Sequence, residues 1–212
     1  MRERIARYLL DIEAVHLRPN QPFTWTSGIR SPIYCDNRLT LSYPEVRRTI
    51  IQGFVDYVKT EKMDVDVIAG TATAGIPHAA LLSEALELPM IYVRGSAKGH
   101  GKQNQIEGKV EPGQKVILVE DLISTGGSVI QAAEALRENG VEVVGVVAIF
   151  TYEFKKAEEA LKEAKLPTYI LTSYSELLKV AMENGTLTEE EKERLAEWRK
   201  DPASTDWIKV RK

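Results

Sequence analysis

Between Val65 and Thr172 the chain repeats one rhythm: a short apolar run, a loop, an amphipathic stretch, then another apolar run. The apolar runs are "VDVIA" (Val65–Ala69), "PMIYV" (Pro89–Val93), "KVILVE" (Lys115–Glu120), "VEVVGVVAIF" (Val141–Phe150) and "TYILT" (Thr168–Thr172). Most are nearly continuous in β-branched and aliphatic residues rather than alternating. Strands of that kind are buried on both faces, and they occur in parallel sheets covered by helices. His78–Leu86, about Gly127–Asn139 and Glu153–Ala164 read as the covering helices. Gly140 follows the second of these, where a left-handed residue closes a helix. The fold class is therefore α/β, with a central, mostly parallel sheet flanked by helices.

The flanks are simpler. Arg2–Val15 reads as a helix with Ile5, Leu9 and Ile12 on one face. Residues 19–38 are rich in turn formers, with a possible short strand at Ile33–Cys35. Tyr43–Glu61 is helical, with Pro44 suited to a first turn. The tail "TEEEKERLAEWRKDP" is acidic at its start and basic at its end, the signature of a solvated surface helix matched to its own dipole. His16 and His78 fall in helical patterns and read as structural or surface residues.

Composition excludes several classes. The 212 residues suit a single domain, 1–212, without repeat or linker. No apolar stretch has the length of a membrane span, and the N-terminal segment lacks a secretory pattern. A net charge of −3 argues against a broad nucleic-acid surface. Cys35 is the lone cysteine, so no internal disulfide forms. It reads as a buried structural thiol in a reducing cytoplasm.

In open α/β sheets ligands sit at the carboxyl ends of the strands, and three loops leave such ends here. The first is "VILVEDLISTGGSVI", Val116–Ile130. Its Thr125-Gly126-Gly127-Ser128 turn opens a helix, so backbone N–H groups, two hydroxyls and the helix dipole can cradle one phosphate. It lacks the spacing and lysine of a Walker A loop. The adjacent acids Glu120 and Asp121 cannot face that phosphate, but carboxylates accept well from paired sugar hydroxyls. A ribose 5-phosphate satisfies both. The second loop, Gly70–Gly75, offers small residues and two threonine hydroxyls to a second anion. The third, Arg94–Lys109, has 16 residues, four glycines and a formal charge of +3 (four Lys/Arg, one Glu). A long core-free cationic loop over a sugar phosphate reads as a flap closing on a polyphosphate.

Together these segments resemble the type I phosphoribosyltransferases. "VILVEDLISTGGS" is similar to that family's motif for 5-phosphoribosyl 1-diphosphate (PRPP). "FTWTSGIRSPIYCDNR", "GTATAGIPHA" and "YVRGSAKGHGKQNQIEG" are similar to its orotate-using branch. The resemblance runs from about Phe23 to Phe150. It implies the type I phosphoribosyltransferase fold, with a small N-terminal hood (about residues 1–40) and a flexible catalytic flap (94–109). It implies transfer of the phosphoribosyl group from PRPP to orotate in pyrimidine synthesis. Glu120 and Asp121 would hold the ribose hydroxyls. Leu122, Ile123, Ser124, Thr125, Gly126, Gly127 and Ser128 would line the PRPP site, with the last four on the 5-phosphate. Thr71, Ala72, Thr73, Ala74 and Gly75 would contact the pyrophosphate. Arg94, Lys98 and His100 would be catalytic, reaching the pyrophosphate from the flap of the second subunit of a homodimer. Lys98 or His100 would protonate the leaving group. Ser124 would contact orotate, and Phe23–Cys35 would form the hood over the base. Mg²⁺ is the implied cofactor, held mainly by PRPP and water rather than by a protein metal cluster.

Thr26, Ala74, Gly95 and Thr151-Tyr152 stand where better-known bacterial members carry basic residues. Arg30 and the hood's backbone amides are the candidates for the base's carboxylate. A purine or xanthine phosphoribosyltransferase is the alternative within the family. A non-catalytic PRPP-sensing regulator is the alternative outside catalysis, and it would need a basic face for nucleic acid.

Overall fold

The computed structural model describes residues 1–25, 28–95 and 105–208. Helix α1 (Arg2–Asp11) leads into a small β-structure: β1 (Val15–Leu17), β2 (Phe23–Thr24), β3 (Arg30–Ser31) and β4 (Ile33–Cys35). β1 pairs antiparallel with β4, and β2 with β3, so residues 15–35 form two hairpin-like pairs apart from the main sheet. A 3-10 segment, Asn37–Ser42, joins them to α2 (Pro44–Thr60), which begins on Pro44.

The main elements follow in the anticipated alternation: β5 (Val67–Thr71), α3 (Gly75–Leu86), β6 (Met90–Val93), β7 (Ile106–Glu107), β8 (Lys115–Ile123), α4 (Gly127–Glu138), β9 (Glu142–Thr151), α5 (Lys155–Glu163) and β10 (Thr168–Ser173). The chain then forms α6 (Tyr174–Glu183) and α7 (Glu189–Lys200). The six-stranded sheet runs β10-β9-β8-β5-β6-β7. Every pairing is parallel except β6 with β7. All five residues of β5 are buried, as is the central run of β8. That explains why these strands read as unbroken apolar runs. Helices α2 and α3 pack together, as do α4 and α5, while α1 rests on α6 and β10.

Several details depart from the sequence reading. β8 continues past Glu120 to Ile123, because β9 pairs with it that far, Ile123 opposite Thr151. Both acids therefore belong to a strand. Residues 106–107, inside the segment read as one long loop, pair with Tyr92 and Val93. His16 lies in strand β1, not in a helix, since its backbone pairs with Tyr34. Cys35 is only part-buried. α6 follows β10 directly and was not anticipated; its strand-like first residues hide the Ser173 cap, whose hydroxyl accepts from the Glu176 N–H. α7 has the expected acid-to-base polarity and a Thr188/Glu191 capping box, but it is not simply solvated, because Leu195 and Trp198 are fully buried. No helix among the described residues is long and apolar enough to cross a membrane.

Candidate active site

The site is built on the carboxyl end of β8. Glu120 is buried, and its Oε2 accepts from the Ser128 hydroxyl at 3.1 Å while Oε1 accepts from the Asp121 N–H at 3.0 Å. The Asp121 carboxyl interacts directly with that of Glu120, and the Arg38 guanidinium and Tyr152 also feel its charge. Asn37, itself buried, donates to the Asp121 carbonyl at 2.8 Å and ties the hood to the strand just after the acid pair. Burial raises both carboxyls, and the neighbouring Asp121 adds to the effect on Glu120, which is pushed up to about 8. Two adjacent carboxyls in this setting share a proton near neutrality. Hydroxyl donors or a cation brought by a ligand would restore both charges.

The turn after β8 has the geometry of an anion socket. Gly126 adopts φ +80° at the start of α4, a left-handed conformation that glycine takes without strain. No side chain caps α4 among the described residues, so its first N–H groups lack a side-chain acceptor. A Cβ on Gly127 would meet only the Thr125 hydroxyl, at 3.8 Å, so the space above the turn is open. The Ser128 hydroxyl, expected on the phosphate, is instead donated to Glu120. The carboxylate is the nearer acceptor once strand and helix are set side by side.

The second loop lies beside the first because β5 and β8 are neighbours in the sheet. Thr71 donates its hydroxyl to the Val119 carbonyl at 2.9 Å, and the Ala72 N–H goes to Val93 at 2.9 Å. Both groups are thus engaged within the protein. That leaves Thr73, Ala74 and Gly75, where α3 starts, again without a side-chain cap. The Ala72–Thr73 peptide bond is cis. A Cβ on Gly75 would sit 2.3 Å from the Val119 carbonyl oxygen, so only glycine lets α3 start this close to β8.

The third loop rises from the β6–β7 pair. The Arg94 N–H donates to the Gln105 carbonyl at 2.8 Å, the Gln105 amide returns a bond to Arg94 at 3.1 Å, and Arg94 Nε lies 3.4 Å from Glu107. Arg94 thus sits at a hydrogen-bonded stem. Lys98 and His100 lie outside the described residues, as does Thr26.

Between hood and sheet is a cavity of about 460 Å³. Phe23, Thr24, Trp25, Tyr34 and Cys35 line it from the hood, and Leu122, Ser124 and Tyr152 from the sheet. Trp25 and Tyr152 touch as a tilted pair with ring centroids 6.0 Å apart at 43°, and Phe23 and Tyr34 likewise at 5.7 Å and 42°. A slot with aromatic walls and hydroxyls on its floor suits a flat heterocycle. Arg30 is exposed on β3 opposite Thr24 and does not line it. Sequence reasoning noted Tyr152 only as a departure from a basic residue and missed it as a cavity wall. Its single signal was its place just beyond a strand's carboxyl end. Asn37 carried no signal, being one polar residue in a turn.

Comparisons with known proteins agree with this geometry. A family model described as a phosphoribosyl transferase domain matches residues 43–176. Over 208 residues the chain is 59% identical to an orotate phosphoribosyltransferase of Halalkalibacterium halodurans, covering 98% of this chain and 99% of that one. The structure of Leishmania donovani UMP synthase is similar with a TM-score of 0.76 at 28% identity, over 92% of this chain and 42% of that longer one. An orotate phosphoribosyltransferase from Aeropyrum pernix is similar with a TM-score of 0.74 at 28% identity, over 87% of this chain and 99% of that one.

Proposed function

The chain belongs to the phosphoribosyltransferase family, and from that membership we propose that it transfers the 5-phosphoribosyl group of PRPP to orotate, giving orotidine 5-phosphate and pyrophosphate. One observation carries the reading. Two lining residues of the aromatic cavity (Leu122 and Ser124), the acid pair and the glycine turn all lie on one stretch of chain, Glu120–Ser128, at the end of β8. A ligand spanning them has a flat base at one end, a diol in the middle and a phosphate at the other.

In the reaction a ring nitrogen of orotate forms a bond to C1 of the ribose as the bond from C1 to the pyrophosphate oxygen breaks. Positive charge builds on the sugar ring and negative charge on the leaving group. Catalysis of this kind is mostly positioning and electrostatics. The Trp25–Tyr152 slot orients the base, with Ser124 at its floor. Asp121 and Glu120 accept from the ribose hydroxyls, and the amides from Thr125 to Ser128 hold the 5-phosphate. The Thr73–Gly75 amides face the pyrophosphate. Arg94, with Lys98 and His100 on the flap, neutralises it, and one of the last two returns a proton to it. Closure of the flap excludes water that would otherwise hydrolyse PRPP.

The donor set fits Mg²⁺. It consists of hard oxygens, Glu120 and Asp121, and among the described residues no group of three or more His, Cys, Asp or Glu side chains could hold a metal. Such a site suits an ion that arrives with its polyphosphate and keeps its waters, touched by one or two carboxylates. When bound, Mg²⁺ offsets the charge developing on the pyrophosphate.

We further propose that residues 1–212 act as one phosphoribosyltransferase domain in a cytoplasmic homodimer. In that dimer each flap, residues 94–109, serves the other subunit's site. The test of the whole reading is an assay with orotate, PRPP and Mg²⁺. Consumption of orotate changes its near-ultraviolet absorbance. No change with orotate, together with turnover of a purine, would overturn the choice of base.

A further inference from the structure

We propose that helix α7 is a strap that fixes the hood over the base slot, with Trp198 and Asn20 as positioning residues for the base. The inference rests on the reading of the aromatic cavity as the site of the base.

Three observations lead to it. First, α7 is almost wholly charged, yet Trp198 is completely buried. Its ring meets Trp25 edge-on at 6.0 Å and 86°, and Tyr152 edge-on at 5.9 Å and 83°. Those two rings both line the cavity, Trp25 from the hood and Tyr152 from just beyond β9. Trp198 is thus a common backing for both, and ring pairs of this geometry favour one spacing over others. Second, α7 grips the chain where it enters the hood. Arg194 donates to the Asn20 side-chain carbonyl at 2.6 Å, and the Asn20 amide donates to Glu191 at 2.7 Å. Phe23, the first residue of the hood hairpin, follows three positions later. That hairpin has only two residues in each strand, too few to hold its own geometry in water. Third, α7 is anchored to the sheet side. Arg199 bonds Glu153 at 3.0 Å and Ser175 at 2.7 Å, and the Tyr174 hydroxyl donates to the Leu195 carbonyl at 2.9 Å. Glu153 adjoins Tyr152. One helix therefore braces both lining rings, and the hood to the sheet side, without itself lining the cavity.

Trp198 Nε1 has no hydrogen-bond partner among the described residues. Replacing it by phenylalanine keeps an aromatic ring and breaks no hydrogen bond, whereas alanine removes the backing altogether. The full-length enzyme and its Trp198→Ala, Trp198→Phe and Asn20→Ala variants are compared by kcat, by KM for each substrate and by thermal unfolding. Trp198→Ala and Asn20→Ala should raise KM for orotate by about five- to tenfold, the scale of one or two lost contacts. KM for PRPP should stay within about twofold, because the phosphate socket lies on β8 and α4. Trp198→Phe should recover most of the loss. If Trp198→Ala fails to fold, Asn20→Ala decides. The strap is overturned if KM for orotate is unchanged in the folded variants, or if both KM values rise together with a falling Tm. A wild-type enzyme inert toward orotate removes the reading of the slot itself, and the strap with it; wild-type turnover with an unaffected Asn20→Ala variant removes the strap alone.

Discussion

At Glu120, burial and function pull in opposite directions. The side chain is 6% exposed and next to a second carboxyl, so the free protein holds a proton there up to a pH of about 8. In the unfolded chain the same group loses its proton near 4.5. Between those values the native state binds the extra proton, so stability falls as pH rises through that window. Glu120→Gln should therefore raise Tm at pH 8 and above, with the gain shrinking toward pH 4.5. The same variant should lose affinity for PRPP, and the wild-type rise in kcat/KM for PRPP as pH passes about 8 should disappear. Thermal scans and initial rates across pH check both. Gly75 presents the opposite case, a site defined by lack of volume. Gly75→Ala would press a methyl group onto the Val119 carbonyl oxygen, 2.3 Å away. Overpacking of that kind costs about 1–3 kcal/mol, or roughly 2–12 °C in Tm for a chain of this size. Because the shift falls on the loop proposed to face the pyrophosphate, KM for PRPP should rise as well; an unchanged Tm and KM would show that the loop moves aside freely. Both residues stand out in the sequence as types. Only the packing shows that one shares a proton and the other touches a strand.

Among the elements, the β6–β7 pair matters most for chemistry. Its cross-strand bonds between Arg94 and Gln105 close the base of the segment proposed as the flap. Lys98→Ala should lower kcat by about a hundredfold, the scale of one lost transition-state donor, with a smaller change in KM. Unchanged kcat in steady-state assays would remove Lys98 from the reaction. If flaps cross between subunits, mixing Lys98→Ala with Glu120→Gln protein should restore part of the activity, since a mixed dimer has one intact site. Sequence periodicity found the long helices and the buried strands, because each spans enough residues to show a period. It missed the two-residue strands β2, β3 and β7, which are too short to have one, and α6, which follows β10 with no turn between them. It took α7 for a surface helix because the acids and bases of that stretch outnumber Leu195 and Trp198, the residues that anchor it.

For the molecule as a whole, the order β8-β5 in the sheet sets two uncapped helix starts side by side, and this makes one site from two loops. A different consequence of packing appears at His78. It is completely buried between α3 and the 3-10 segment after β4, with Thr40 at 3.5 Å, and burial lowers it from 6.5 to about 4. The unfolded chain binds a proton there below pH 6.5 while the native state does not. Stability is therefore full above 6.5 and is lost as pH falls toward 4, on the order of 3 kcal/mol in all. His78→Phe should flatten that part of the Tm–pH curve; an unaltered slope would assign acid loss to other groups.

By itself, the sequence determined the parallel α/β class and the chemistry of the Glu120–Ser128 stretch, two acids followed by a glycine turn at a helix start. Each depends on residues within a few positions of one another, where backbone preference and side-chain chemistry act directly. Only the tertiary structure decided which of those groups remain available. Thr71 and Ser128 gave up their hydroxyls to Val119 and Glu120, 48 and 8 residues away. The tertiary structure also brought Tyr152 into the base slot and joined Asn20 to Glu191 across 171 residues. Such pairings follow from strand order and helix packing, and no local pattern encodes the distance between segments that meet only when the sheet is complete.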